Sequence, residues 1–306
     1  MGATVGIGLP SYNGAAYVEG AISSLRAQTY GDFVIACTDD ASTDGTPDIL
    51  ERHAEEDPRI RVQRSTTRRG MVGNWIASYR FARELSTSMR YFAWAGDHDI
   101  WDPRWLALLV AELDAHPEAS VAYPLDVGIT ATGEQFRRPW RFDTAGMAPG
   151  RARFVSATVG MRSGCVVYGL HRVDLLERCG VFHPAIIPDR ILNEQLAMIG
   201  EFRQVDEVLW QRRYFSREEP IRARQMRVLF SGRPPLYTRL PYPLVHGAFL
   251  TWFVLVRGST RPEVGRARGM FLVLWYTAWM SWQAGRRRLG NRYKRLKERY
   301  RRTPTD

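Results

Sequence analysis

Four short apolar runs, at residues 4–9, 33–37, 60–63 and 90–95, are too brief for helices. The segments between them, 15–28, 46–55 and 74–85, carry apolar residues at helical spacing. This alternation constrains the fold more than any other feature. Repeated strand–helix units bury both faces of a mostly parallel sheet. In such sheets ligands bind beyond the carboxyl ends of the strands. Polar clusters fall at three of those ends, at residues 10–13, 39–44 and 97–99. Scattered surface acids would not follow three apolar runs in this way.

Further along, 105–116, 174–179 and 192–199 read as helices. Residues 121–124, 164–170 and 208–214 read as strands, the last at a sheet edge. The proline- and arginine-rich stretch 231–243 is the expected boundary of the catalytic part. Two apolar stretches follow, 244–256 and 270–282, and each falls short of the ~20 residues that span a bilayer. The second carries Trp275, Tyr276, Trp279 and Trp282 and is followed by Arg286, Arg287 and Arg288. Aromatic residues beside arginines are typical of the membrane interface. Two readings stand: helices packed on the catalytic domain, or an extension that contacts an anionic membrane.

Charge bears on that choice. The 306 residues carry a formal net charge of +11. Residues 286–306 hold ten Lys/Arg against Glu298 and Asp306, so most of the excess is terminal. A basic tail suits an anionic membrane surface better than a folded nucleic-acid reading face, so no nucleic-acid partner is expected. Cys37, Cys165 and Cys179 form no CxxC or zinc spacing, and their odd number suits a reducing compartment. The N-terminus lacks the pattern of a signal peptide. The expected location is the cytoplasm, with peripheral contact at the inner face of the cell membrane.

The chemistry sits in the polar clusters. Asp97-His98-Asp99 sets two carboxylates around one residue just after a strand. Such oxygen ligands suit Mg2+ or Mn2+, and the imidazole favours manganese. The triplet is also common on solvated loops, so its place at a strand end carries the reading. Asp40 is expected to accept from a base N–H or a ribose hydroxyl. Asp44 is expected to shape the turn, and a plain helix-cap cluster with Ser42 is the alternative. Tyr12 offers a face on which a base can stack, or is a packed loop aromatic.

Residues Pro10-Ser11-Tyr12-Asn13, Gln28-Thr29-Tyr30, Asp39-Asp40-Ala41-Ser42-Thr43-Asp44-Gly45-Thr46 and the cluster Asp97 to Asp99 together resemble the inverting glycosyltransferases of family 2. Order and spacing agree over residues 4–105 and, more weakly, to 215. The resemblance implies an α/β GT-A (Rossmann-like) fold, a mostly parallel sheet flanked by helices. Residues 1–105 would be the nucleotide-sugar-binding half, 106–230 the acceptor half, and 231–306 a helical, aromatic and basic extension. It also implies transfer from a UDP- or dTDP-sugar, with Mn2+ or Mg2+, to a hydroxyl of a saccharide or lipid-linked acceptor in cell-envelope synthesis. Donor contacts would come from Pro10, Tyr12, Asn13, Asp40, Arg69, Asp97 and His98, and metal ligands from Asp97, His98 and Asp99.

By the same resemblance Asp189 is the general base, with Glu194 in reserve. Read locally, Asp189 follows Pro188 at a helix start, so a helix cap is the alternative. His98 departs from the family pattern, in which many relatives carry a carboxylate. Arg68, Arg69, Arg212 and Arg213 are candidates for pairing with phosphate oxygens.

Other classes fit less well. A polyanion-binding protein would not confine its charge to a tail. A catalytically silent sugar-nucleotide module would keep Asp40 and lose Asp189. A nucleotidyltransferase would carry a Gly- and Arg-rich loop after the first strand. Gly6 and Gly8 lie inside a strand, with no third glycine to complete a dinucleotide fingerprint. A glycosidase pair of carboxylates would leave Asp39 and Asp40 unexplained.

Overall fold

The computed structural model describes residues 2–137, 139–161, 164–215, 226–258, 260 and 263–301. Residues 302–306 of the basic tail lie outside the described residues. Strands β1 (Val5–Ser11), β2 (Phe33–Asp39), β3 (Ile60–Arg64) and β4 (Tyr91–Trp94) lie parallel in the order β3-β2-β1-β4. Helices α1 (Val18–Arg26), α2 (Thr46–Glu56) and α3 (Gly70–Leu85) connect them. The period-two geometry of a strand divides its side chains between two cores. Tyr91 and Ala93 join the core shared with α1, through Val18, Ile22 and Leu25. Phe92 and Trp94 join the opposite core, with Val72, Trp75 and Tyr79 of α3.

The sheet continues through β8 (Leu170–Arg172), β6 (Ala119–Ile129), β9 (Glu201–Arg213) and β5 (Ile100–Trp101), and β7 (Gln135–Arg137) pairs with β6. Strand β8 is antiparallel to both neighbours, β9 is parallel to β6, and β5 is antiparallel to β9. Helices α4 (Trp105–Ala115), α5 (Arg151–Gly160), α6 (Val173–Cys179) and α7 (Pro188–Ile199) belong to this half.

Two expectations are corrected. Residues 164–170 are not one strand: Gly164–Tyr168 is a 3-10 helix, followed by β8. The buried run Cys165-Val166-Val167 has no period that separates the two. Residues 208–214 are not an edge strand, because β5 covers β9 on its far side. Two residues are too few to announce a strand. The run at 121–124 extends to the whole of β6, whose register against β9 shifts at Pro124, a residue that cannot donate to the ladder.

Beyond 230, α8 (Tyr242–Thr251) leads into a π-helical turn, Trp252–Arg257, and then α9 (Arg266–Arg301). No helix among the described residues is long and apolar enough to cross a membrane. Leu250, Phe253, Leu272, Tyr276 and Met280 share one core with Phe154 of α5 and Leu196 of α7. His246 fastens this layer: its Nδ1 lies 2.8 Å from the Tyr276 hydroxyl and its Nε2 2.7 Å from the Ile186 carbonyl. Burial pushes its pKa down to about 4. Replacing His246 with alanine leaves a cavity and takes from the buried Ile186 carbonyl its donor, while the Tyr276 hydroxyl keeps Arg190. The expected loss is about 2–5 kcal/mol of unfolding free energy, read by urea denaturation.

Candidate active site

The carboxyl ends of β1, β2 and β4 enclose a cleft of about 280 Å³, walled by Pro10, Tyr12, Asp40, Arg68, Asp97 and His98 among others. Asp40 is almost fully buried. Its oxygens accept the backbone N–H of Arg69 at 2.6 Å and of Gly70 at 3.0 Å. The start of α3 is thereby tied to the end of β2, and a carboxylate there also suits the positive end of the helix. Arg68 Nε is 3.5 Å from Asp40, and its guanidinium stacks 3.4 Å above the Tyr12 ring. Asn74 of α3 donates to the carbonyls of Ser11 and Thr38, closing the floor between β1 and β2.

Neighbouring candidates shape loops. Asn13 accepts from the Thr43 N–H and donates its own N–H to Ser42. Asp44 accepts from the Thr46 N–H and the Ala15 N–H, the turn role expected of it. Arg69 approaches Asp40 through its backbone, and its Nη1 is buried without a hydrogen-bond partner among the described residues.

The Asp97–Asp99 turn divides its two acids. Asp97 and His98 line the cleft. The carboxylate of Asp97 rests against Gly14, where an added Cβ would fall 2.7 Å from its Oδ2. His98 Nδ1 is 2.8 Å from Asp97. Burial lowers the imidazole pKa, but Asp97 and Asp99 outweigh it and the net movement is upward. Asp99 is 1% exposed and faces β9. Its Oδ2 accepts the Trp210 indole N–H at 3.0 Å, and its Oδ1 the Arg213 amide at 2.8 Å. Burial raises its pKa against the pull of His98 and these donors. Among the described residues no three His, Cys, Asp or Glu side chains converge as a ready metal cage. Asp97 and His98 beside an open cleft fit a cation that takes its other ligands from phosphate and water.

Asp189 lines a second cavity, of about 480 Å³, walled by α5, α7, α8 and α9. Helix α7 begins after Ile187, a β-branched residue at φ 56°, with Pro188 in the first turn. Such a backbone is strained by about 1–3 kcal/mol, a cost that clusters at functional sites. Asp189 is thus a first-turn residue and not the cap, and its Oδ2 lies where a side chain at Gly164 would stand. Burial pushes its pKa up, against the neighbouring Arg190 N–H and the charges of Arg212 and Arg190. Glu194, the reserve, is fully buried and accepts from the Thr158 hydroxyl at 2.7 Å.

The two cavities meet across one short element. Gly164 lines the Asp189 cavity and Tyr168 lines the cleft, and both belong to the same 3-10 helix. At 2 Å per residue that helix spans about 8 Å. Arg212 lies over the Tyr168 ring, and Arg213 is occupied with the carbonyls of His98, Thr130 and Ala131. Sequence reasoning missed Asn74, Tyr168 and Trp210. Only an alignment of their long-range partners would have exposed them. Trp140 stacks on Phe142 and does not line either cavity.

Comparison with known proteins agrees with this fold. The sequence model of the family described as Glycosyl transferase family 2 matches residues 7–178. The Sinorhizobium fredii protein y4gI is 31% identical over 150 residues, 46% of this chain and 16% of its own length. An undecaprenyl-phosphate mannosyltransferase of Micrococcus luteus is 36% identical over 77 residues, 25% of this chain and 31% of its own. The matched segments thus span under a third of these relatives. Among solved structures, Staphylococcus aureus TarS 1–349 in complex with UDP-GlcNAc aligns with a TM-score of 0.62 at 15% identity, covering 89% of this chain and 71% of that one. The mannosyltransferase PcManGT of Pyrobaculum calidifontis, in complex with GDP-Man and Mn2+, aligns with a TM-score of 0.51 at 18% identity, covering 93% and 80%. Both share the GT-A fold that the sequence implied.

Glu194 gives this half of the molecule a pH signature. Burial, against the charge of Arg190, raises its pKa from 4.5 to about 7. A carboxyl whose folded pKa stands above its unfolded one favours folding below the lower value. That contribution is lost as pH rises through the higher one. The buried His171 and His246, both near pKa 4, act in the opposite sense. The Glu194→Gln variant should therefore gain on the parent as pH rises from about 4.5 to 7, by roughly 1–3 kcal/mol. Urea denaturation across that range reads the gap, and a constant difference contradicts it.

Proposed function

The chain belongs to glycosyl transferase family 2, and from that membership we propose that it moves a sugar from a nucleoside diphosphate to an acceptor hydroxyl with inversion. The observation that carries this reading is the 3-10 helix Gly164–Tyr168, which lines a cleft at one end and, at the other, a cavity holding one carboxylate. The donor occupies the cleft, its nucleoside over Tyr12, Arg68 and Asp40 and its diphosphate beside Asp97 and His98. Mg2+ or Mn2+ bound there would neutralise the departing diphosphate. Pro10 and Asn13 shape the cleft wall and its loop, and Arg69 gives its amide to Asp40.

The acceptor hydroxyl enters from the other cavity. Asp189 removes its proton as the oxygen bonds to the anomeric carbon, and the bond from that carbon to the diphosphate breaks on the opposite face. The raised pKa brings Asp189 nearer the working pH, which makes it a stronger base. Asp99 supports the turn from behind and takes no place in the cleft in this reading. The M. luteus relative, named for a mannosyltransferase to a lipid phosphate, supports a cell-envelope acceptor of saccharide or lipid-linked type. The UDP and GDP sugars of the two structural neighbours support a nucleotide-sugar donor, here a UDP- or dTDP-sugar.

Calorimetric titration with uridine and deoxythymidine diphosphates should show binding that strengthens with manganese. Asp97→Ala should weaken the manganese-dependent part at least about tenfold. Metal-independent binding, or none to the folded protein, contradicts the donor assignment. Asp189→Asn should slow transfer by about 10²–10⁴ while donor affinity stays within about twofold. Equal losses of rate and donor affinity would refute the role of base.

A further inference from the structure

Nine of the thirteen exposed large hydrophobic side chains among the described residues lie between Leu236 and Trp282. They belong to one layer. Helices α8 and α9 pack antiparallel, Gly247 against Thr277 and Gly269 against Val254. The inner stripe of α9, with Leu272, Val273, Tyr276 and Met280, is buried on the catalytic half. Its outer stripe is Phe271, Leu274, Ala278 and Trp282, all exposed and spaced at helical turns. Phe271 and Leu274 are 60% and 66% exposed. On the α8 side an apolar groove of about 550 Å³ runs between Leu240, Leu244, Phe249 and Trp252.

The sequence of this segment is strongly basic. Between residues 231 and 297 there are thirteen Lys/Arg and one acid, Glu263. That acid is consumed by Arg178, which meets it through two nitrogens at 2.9 and 2.8 Å. Arg257 lies over the Trp252 ring and Arg286 over the Trp282 ring, so cations sit at the edges of the apolar face.

We propose that this outer face docks on the headgroup region of an anionic lipid bilayer. Apolar side chains enter the acyl boundary, tryptophans sit at its level, and arginines meet the phosphates. A second copy of the chain is a poor occupant, because it would bring two strongly basic layers together. A nucleic acid is another poor one, because it would leave the leucines and phenylalanine unsatisfied. The layer lies on the membrane rather than through it, in keeping with the finding that no helix among the described residues is both long and apolar enough to cross one. The opposite edge of α9 supplies Trp279, Met280 and Gln283 to the Asp189 cavity. If the proposed function holds, docking brings that cavity beside the headgroups, where a lipid-linked acceptor would be held.

The test is flotation of the full chain with phosphatidylcholine vesicles, with and without phosphatidylglycerol. It needs no acceptor and no activity. The parent should float with the anionic vesicles, far less with neutral ones, and be released by salt. Phe271→Glu with Leu274→Glu should lower partitioning about tenfold or more. Leu236→Glu with Leu244→Glu tests the layer from α8 and the 3-10 turn Leu236–Arg239 before it, should the first pair disturb folding. Val208→Glu, on an exposed strand position elsewhere, should float like the parent. The proposal is overturned if the parent stays with the unbound fraction, or if both folded double variants float unchanged. It is also overturned if light scattering shows a dimer that these variants split.

Discussion

Asp99 is buried between the turn that carries Asp97 and His98 and strand β9. A carboxylate in that position must be answered by donors, or it costs several kcal/mol. Both answers come from β9, in the Trp210 indole and the Arg213 amide, more than a hundred residues further along the chain. Trp101 stacks flat on Trp210, Tyr168 leans on the same indole at 4.9 Å, and Arg213 reaches back to the His98 carbonyl. The direction in which Asp97 and His98 face the cleft therefore depends on β9 being in place. The same indole supports the helix whose two ends line the two cavities.

The parallel half was legible because its strands are buried on both faces and its connecting helices show one apolar stripe. Acids at strand ends then marked the cleft, and Asp40, Asp97 and His98 do line it. What escaped was set by distance. The Asp97–Asp99 triplet reads as one cluster in sequence, whereas Asp99 turns toward partners that no local pattern reveals. The 3-10 helix was hidden because three consecutive buried residues have no period. Strand β5 has only two residues, so the position of β9 inside the sheet could not be read either.

The C-terminal extension resolves into two faces of the same helices. Packing on the catalytic half accounts for the inner one, with His246 and Tyr276 closing the contact. The outer face keeps the aromatic and basic composition that the sequence displayed, and packing does not use it. Helix α9 thus serves as a wall of the Asp189 cavity on one side and as an apolar surface on the other. Changes on its inner stripe bear on the core and on the cavity together, since Met280 belongs to both.

The central claim is that donor and acceptor occupy separate cavities on either side of residues 164–168. A crystal structure of the chain with uridine or deoxythymidine diphosphate and manganese tests it most directly. The account predicts the nucleoside over Tyr12 and Arg68, the metal on Asp97 between protein and diphosphate, and the Asp189 cavity free of nucleotide. A diphosphate bound against Asp189, or a metal held away from Asp97, would contradict it.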